Sequence, residues 1–268
     1  MTQLIRAEVL VDHLSASQLS TYIRCPKLFS LRYIAKQKPE HQSACLAFGR
    51  AWGVTIGEHL QRSEPGALVP LGELTARFRA ELERELTETT VPVLFEDGES
   101  TDTLVTLASR MLEVFQAEVP LPEAVLGIEV AFSVTLKHPR DPSEEIVVPL
   151  VGALDALVVE NGAPVIWELK TSRKRYSATE LELAMLQPTV YTVGARVLDV
   201  EDAEVAVIVA TKAKQPAVQI SRLRRHETDE IELYELAEQV LRAVAAGVYP
   251  RNRGHACVTC AHRTECAP

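Results

Sequence analysis

The stretch VGALDALVVENGAPVIWELKTSRKR, from Val151 to Arg175, is apolar enough to form two buried strands, yet it carries Asp155, Glu168 and Lys170. Charges in buried strands are costly unless they are paired or bound to a metal. Asn161-Gly162 is the strongest short signal for a two-residue hairpin turn, and such a turn fixes the register of the strands it joins. With Glu160 opposite Ala163, counting back sets Asp155 across from Glu168 on one face of the sheet, their Cβ atoms roughly 5 Å apart. Lys170, two residues further on, shares that face. Facing carboxylates among Leu157, Val159 and Ile166 need an offset. A hard divalent cation such as Mg²⁺ or Mn²⁺ supplies one, with the Lys170 ammonium close by. An ion pair of Lys170 with Asp155 or Glu168 at a sheet edge is the plainer alternative.

Working outward, AVLGIEVAFSVTL, EIVVPLVGALDALVVE, APVIWELK, EVAVIVATK and VQISRLRR are rich in Val, Ile and Leu and bounded by turn residues, so each reads as a strand. The N-terminal part is helical instead. LSASQLSTYIRCPKLFSLRYIAKQ reads as two short helices, the first capped by Ser15 or Ser17 and the second started by Pro26, with Cys25 at the joint. Apolar residues then recur at helical spacing from Ala47 to about Leu60, from Leu71 to Leu86 and from Thr103 to Glu118. SATELELAMLQPTVYTVGARVL returns to that spacing with Pro188 as a kink, and DEIELYELAEQVLRAVAAG stops at Gly247. The pattern predicts an α/β fold in which a helical block covers a central mixed sheet.

The chain has 268 residues, 47% hydrophobic and 24% charged, the balance of a globular protein. No apolar run approaches the roughly 20 residues that span a bilayer, and the N-terminus has acids where a signal peptide is apolar, so a cytoplasmic protein without a membrane partner is expected. A net charge of −9 argues against a general polyanion binder. Basic clusters at 172–175, 221–226 and 251–255 leave room for a local basic groove, or for solvated loops. No GxxxxGK[ST] motif is present, which argues against a self-contained ATP motor.

Three of the five cysteines, Cys257, Cys260 and Cys266, form C-x2-C-x5-C at the C-terminus. In a cytoplasmic protein such spacing points to metal more than to disulfides. His255 or His262 as a fourth ligand would make a zinc site. A distant cysteine would make a four-thiolate set for zinc or a 4Fe-4S cluster.

Asp155, then a hairpin, then Glu168-Leu169-Lys170 resembles the PD-(D/E)xK nuclease superfamily and, within it, the RecB-like members. The resemblance implies a restriction-endonuclease-like core, with Asp155 and Glu168 binding Mg²⁺ or Mn²⁺ and Lys170 assisting catalysis. It assigns Glu129, in GIEVAF, as an upstream acidic metal ligand, and matches Gln187 and Tyr191, in QPTVY, to a QxxxY motif near the active site and DNA. One turn apart on a helix, that pair has the spacing to reach a phosphate or a base. Arg173, Lys174 and Arg175 are placed to touch the substrate backbone. Relatives commonly carry a His four residues after a helical Gly. Here the position after Gly49 is Gly53, and the nearest candidate, His59, lies on a different helical face.

YIRCPKLF together with the terminal cysteines resembles the iron–sulfur nucleases, namely the AddB nuclease domain and the CRISPR-associated exonucleases. That implies a structural 4Fe-4S cluster on Cys25, Cys257, Cys260 and Cys266, with Cys45 left as an ordinary thiol. The whole is then a single RecB-like nuclease domain over 1–268. Its parts are an N-terminal segment (about 14–45), a helical block (46–120), a catalytic core (121–246) and a cluster tail (247–268). The implied activity is metal-dependent hydrolysis of DNA, as an exonuclease on single strands or ends. Implied partners are DNA and a separate helicase, recombination or spacer-acquisition protein. A non-catalytic relative that holds DNA ends or docks a partner is the alternative.

Overall fold

The structure is a computed structural model, and it describes residues 11–64, 66–183 and 186–266. The first ten residues, read above as unlike a signal peptide, lie outside the described residues. The N-terminal elements are α1 (Ala16–Arg24), α2 (Pro26–Phe29), β1 (Gln42–Ser43), α3 (Ala44–Arg62), α4 (Leu71–Thr87), β2 (Val93–Leu94) and α5 (Thr101–Glu118). The core follows with β3 (Ala124–Val134), β4 (Lys137–His138), β5 (Asp141–Glu145), β6 (Leu150–Glu160) and β7 (Ala163–Ser172). It continues through α6 (Ala178–Leu183), α7 (Leu186–Ala195), β8 (Glu204–Thr211), β9 (Val218–Leu223) and α8 (Glu227–Ala245). The tail closes with α9 (Arg263–Cys266).

A five-stranded mixed sheet, ordered β3-β6-β7-β8-β9, forms the centre. Only β7 and β8 run parallel; the other three pairings are antiparallel. The crossover between β7 and β8 passes through α6 and α7, since parallel neighbours cannot be joined by a tight turn. Strand alternation feeds two apolar layers. Val205, Val207 and Val209 of β8 pack on the side of α7 and α8, whereas Ala206, Ile208 and Ala210 pack against α3, α4 and α5. Both sheet faces are therefore covered, which is why β8 reads as a continuous apolar run.

Local chemistry explains most boundaries. Ser15 caps α1, accepting from the Gln18 N–H at 3.3 Å, and Pro26 starts α2 where its missing N–H costs nothing. Gly247 (φ +67°) ends α8, its N–H bonding Val244 O while the Val248 N–H bonds Ala243 O. That pair of bonds is the Schellman closure of a helix.

Two expectations need correction. The run EIVVPLVGALDALVVE is not one strand: β5 ends at its first residue, Glu145, and β6 begins only at Leu150, because Pro149 has no N–H for a ladder; its carbonyl instead accepts the Leu14 N–H at 2.9 Å. The expected kink at Pro188 adjoins residues 184–185, which lie outside the described residues. Helix α3 begins at Ala44, three residues early, because Ser43 caps it through the Cys45 N–H.

Candidate active site

The β6–β7 ladder has the register that the Asn-Gly turn dictates, from Glu160↔Ala163 to Ala156↔Trp167. It stops there, one residue short of Asp155 and Glu168. Instead of a strand partner, the Leu169 N–H donates to Asp155 Oδ2 at 2.7 Å. The strands part at this point, and a cavity of about 540 Å³ opens between the sheet and helices α3 and α4. Glu129, Asp155, Leu169 and Lys170 line one side of it; Gly49, Arg50, Gly53, Arg84 and Glu85 line the other.

Glu129 reaches the cavity through a backbone irregularity. It lies between the pairs Ile128↔Ala156 and Val130↔Leu154, level with Asp155, and has φ +50°. A left-handed backbone at a glutamate costs energy and tends to persist where function demands it. Helix α3 sits close above: a Cβ on Gly57 would come within 2.8 Å of Ile128 Cγ2. At Gly53 the reverse holds, since an added Cβ would meet nothing within 4 Å.

Beneath the cavity a hydrogen-bonded chain links α7 to the strands. Lys170 Nζ donates to Gln187 Oε1 at 2.8 Å, Gln187 Nε2 to Tyr191 Oη at 2.6 Å, and Tyr191 Oη to Asp155 Oδ1 at 3.0 Å. Tyr191 is buried. Gln187 and Tyr191, expected near a phosphate or base, here hydrogen-bond to Lys170, to each other and to Asp155.

Glu168 is fully buried behind the cavity wall. Lys170 is its ion-pair partner, and neither of its oxygens accepts a hydrogen bond of normal geometry. Burial pushes its carboxyl up to about 7, Lys170 pulling it back and Asp155 adding to the rise. Burial also raises Asp155, against the Leu169 N–H, Lys170 and Tyr191; Glu129 raises it further. For Lys170, burial pulls down, but Glu168 and Asp155 outweigh it and the ammonium is held charged.

Among the described residues, no trio of His, Cys, Asp or Glu stands close enough to hold one metal ion as the side chains lie. The donor chemistry nonetheless fits a hard cation: a buried carboxylate with orphaned oxygens stands behind two carboxylates that face a cavity. His59 is not part of this arrangement. It is buried, its ring 6.3 Å edge-on from Phe115 and its Nδ1 2.9 Å from Ser63 Oγ, and burial lowers its pKa. Arg173 and Lys174 extend past β7 into ion pairs with Glu96 and Glu180, and neither they nor Arg175 line the cavity.

At the other end of the molecule, Cys25, Cys257, Cys260 and Cys266 all line one cavity of about 450 Å³, and each is a free thiol. The chain ends are tied together around it. Tyr22 Oη donates to Val248 O at 2.7 Å, Asn252 Nδ2 to Arg24 O at 2.9 Å, and the Glu40 N–H to Ala261 O at 2.7 Å. His255 and His262, the candidate zinc ligands, do not line this cavity. Cys45 stands apart from the four. It is exposed at the rim of the active-site cavity, with Lys212 Nζ 2.7 Å from its Sγ.

With this geometry in place, comparison with known proteins identifies the fold. Residues 13–267 match the sequence pattern of the PD-(D/E)XK nuclease superfamily. The chain belongs to that superfamily. A solved structure from Eubacterium rectale, named a putative exonuclease, is similar over 100% of this chain and 94% of its own, with a TM-score of 0.59 at 12% identity. At that identity the likeness is one of fold. A second solved structure, SSO0001, aligns over 93% of this chain and 94% of its own at 13% identity, with a TM-score of 0.35. No protein of curated function matches the chain. Among the described residues no helix is long and apolar enough to cross a membrane.

Proposed function

We propose that this nuclease-superfamily chain is a Mg²⁺- or Mn²⁺-dependent deoxyribonuclease acting as an exonuclease on single strands or DNA ends. The observation that carries the reading is the convergence of Glu129, Asp155 and Lys170 on one cavity, with Glu168 buried behind them. Glu129, Asp155 and Glu168 would hold the cation. Bound there, it supplies Lewis acidity toward the phosphoryl oxygens and a water made nucleophilic near neutral pH.

The chain's own groups do the rest. Lys170, kept charged by Glu168 and aimed by Gln187, stabilises negative charge as it builds on the phosphoryl group. Tyr191 and the Leu169 N–H take one oxygen each of Asp155 and so fix the carboxylate's orientation. Arg173, Lys174 and Arg175 follow β7 on the surface and would meet substrate backbone, the first two once their ion pairs with Glu96 and Glu180 exchange. Cys25, Cys257, Cys260 and Cys266 would hold a 4Fe-4S cluster that clips the chain ends, a structural role across a single domain of residues 1–268. Their lining of one cavity supports this.

The test is digestion of end-labelled single- and double-stranded DNA by anaerobically purified protein with Mg²⁺, Mn²⁺ or EDTA, beside Lys170→Ala. Metal-dependent release of labelled nucleotides, lost in a variant that circular dichroism shows to be folded, is the expected result. Binding without cleavage under either metal would reassign the chain as a non-catalytic holder of DNA ends.

A further inference from the structure

A groove of about 400 Å³ runs between the active-site cavity and the cysteine cavity. It shares Leu46 and Arg50 with the first, and Cys25, Leu28, Asn252, Cys257 and Cys260 with the second. The three therefore form one continuous depression. Its lining includes Arg24, Arg32, Arg50, His41 and His262, and no aspartate or glutamate. On a chain of net charge −9 that is a marked local reversal. Glu40 and Glu265 lie near His262 but outside the lining, and Glu40 Oε1 accepts the Thr264 N–H at 2.6 Å.

These cations are available. Arg24 and Arg32 are exposed and have no carboxylate partner among the described residues; Arg32 lies against the Tyr33 ring, at 6.0 Å, and near His262. Arg50 donates to Glu85 through Nη1 alone. Two further polar groups in the lining are buried without partners. His262, 1% exposed, has Nδ1 unbonded, and Gln42 has Nε2 unbonded. Buried polar atoms are almost always satisfied, so orphans gathered along a basic groove mark the place of an absent oxygen-rich ligand.

We propose that this groove is the track of the substrate's phosphate backbone, carrying one nucleic-acid strand between the active-site cavity and the cysteine tail. Guanidinium groups bind phosphate in bidentate fashion, and an amide N–H adds a donor for a phosphate oxygen. The half-exposed Leu46 offers a base an apolar face at the turn into the cavity. The inference rests on the nuclease reading for its substrate, but it is testable without any cleavage.

Binding of a fluorescent oligothymidylate is measured in EDTA over a range of salt, for the wild type, Arg24→Ala/Arg32→Ala, and Lys137→Ala as an exposed cation away from the groove. The expected result is an affinity loss of tenfold or more in the double variant alone. The slope of log K against log salt should become shallower by about 1.4, since each single-strand phosphate contact contributes about 0.7. Crosslinking of a 4-thiothymidine oligonucleotide to the wild type is the second measurement and should label residues of the groove. Unchanged affinity and slope, or crosslinks elsewhere, would overturn the groove while leaving the nuclease reading to the digestion assay. A wild type that binds through the groove yet cleaves nothing would keep the track and sink the enzyme.

Discussion

Tyr191 Oη lies 3.0 Å from Asp155 Oδ1 and donates to it from beneath the sheet, while the Leu169 N–H takes Oδ2 at 2.7 Å. The carboxylate is thus held from two elements, α7 and β7, before any substrate arrives. Tyr191→Phe removes one of these restraints without a change of shape. We expect kcat to fall about tenfold to a hundredfold, with a raised Mn²⁺ requirement and little change in oligonucleotide affinity. A loss confined to DNA affinity, read by fluorescence anisotropy, would mean that Tyr191 serves the substrate and not Asp155.

Glu168 predicts a pH-dependent stability. Its carboxyl titrates near 7 in the fold and near 4.5 when unfolded, so the folded chain holds the proton more tightly. That contribution is complete below about pH 4.5 and is lost as pH rises through 7, a difference of about 3 kcal/mol. In EDTA, Glu168→Gln should match the wild type in thermal midpoint near pH 4.5, gain on it as pH rises towards 7, and hold a constant lead above that. A gap that does not vary with pH would show that Glu168 titrates normally.

Gly53 leaves open the place where relatives commonly carry histidine. A Cβ there meets nothing within 4 Å, and α3 gains helix propensity when glycine is replaced. Gly53→His should fold at least as well as the wild type and bind Mn²⁺ about tenfold more tightly, roughly 1.4 kcal/mol. Titration followed by electron paramagnetic resonance reads this directly. Unchanged Mn²⁺ affinity would mean that α3 contributes no ligand position.

The four-cysteine cavity predicts iron and sulfide in equal amounts, four of each per chain, with visible absorbance after anaerobic purification. Cys257→Ser should lose the absorbance, lower the thermal midpoint by at least about 5 °C and expose the tail to proteolysis. Cys45→Ser should do none of these, because Cys45 stands at the rim of the other cavity. Stoichiometric zinc in place of iron would overturn the cluster.

The sequence by itself determined the parts set by neighbours in the chain. Turn chemistry at Asn161-Gly162 imposed the β6–β7 register, so Asp155 and Glu168 could be set level by counting. Ser15, Pro26 and Gly247 marked helix ends for equally local reasons. Only the tertiary structure decided what depends on segments far apart. The left-handed turn of Glu129, the use of Gln187 and Tyr191 as supports, and the burial of His59 against Phe115 arise where distant elements pack. The basic groove is of the same kind: Arg24, Arg32 and Arg50 sit on separate segments, and no periodicity in the chain announces that folding lays them along one depression. Backbone dihedrals and turns obey nearest neighbours, whereas the direction of a side chain's last polar atom is settled by whatever folds against it.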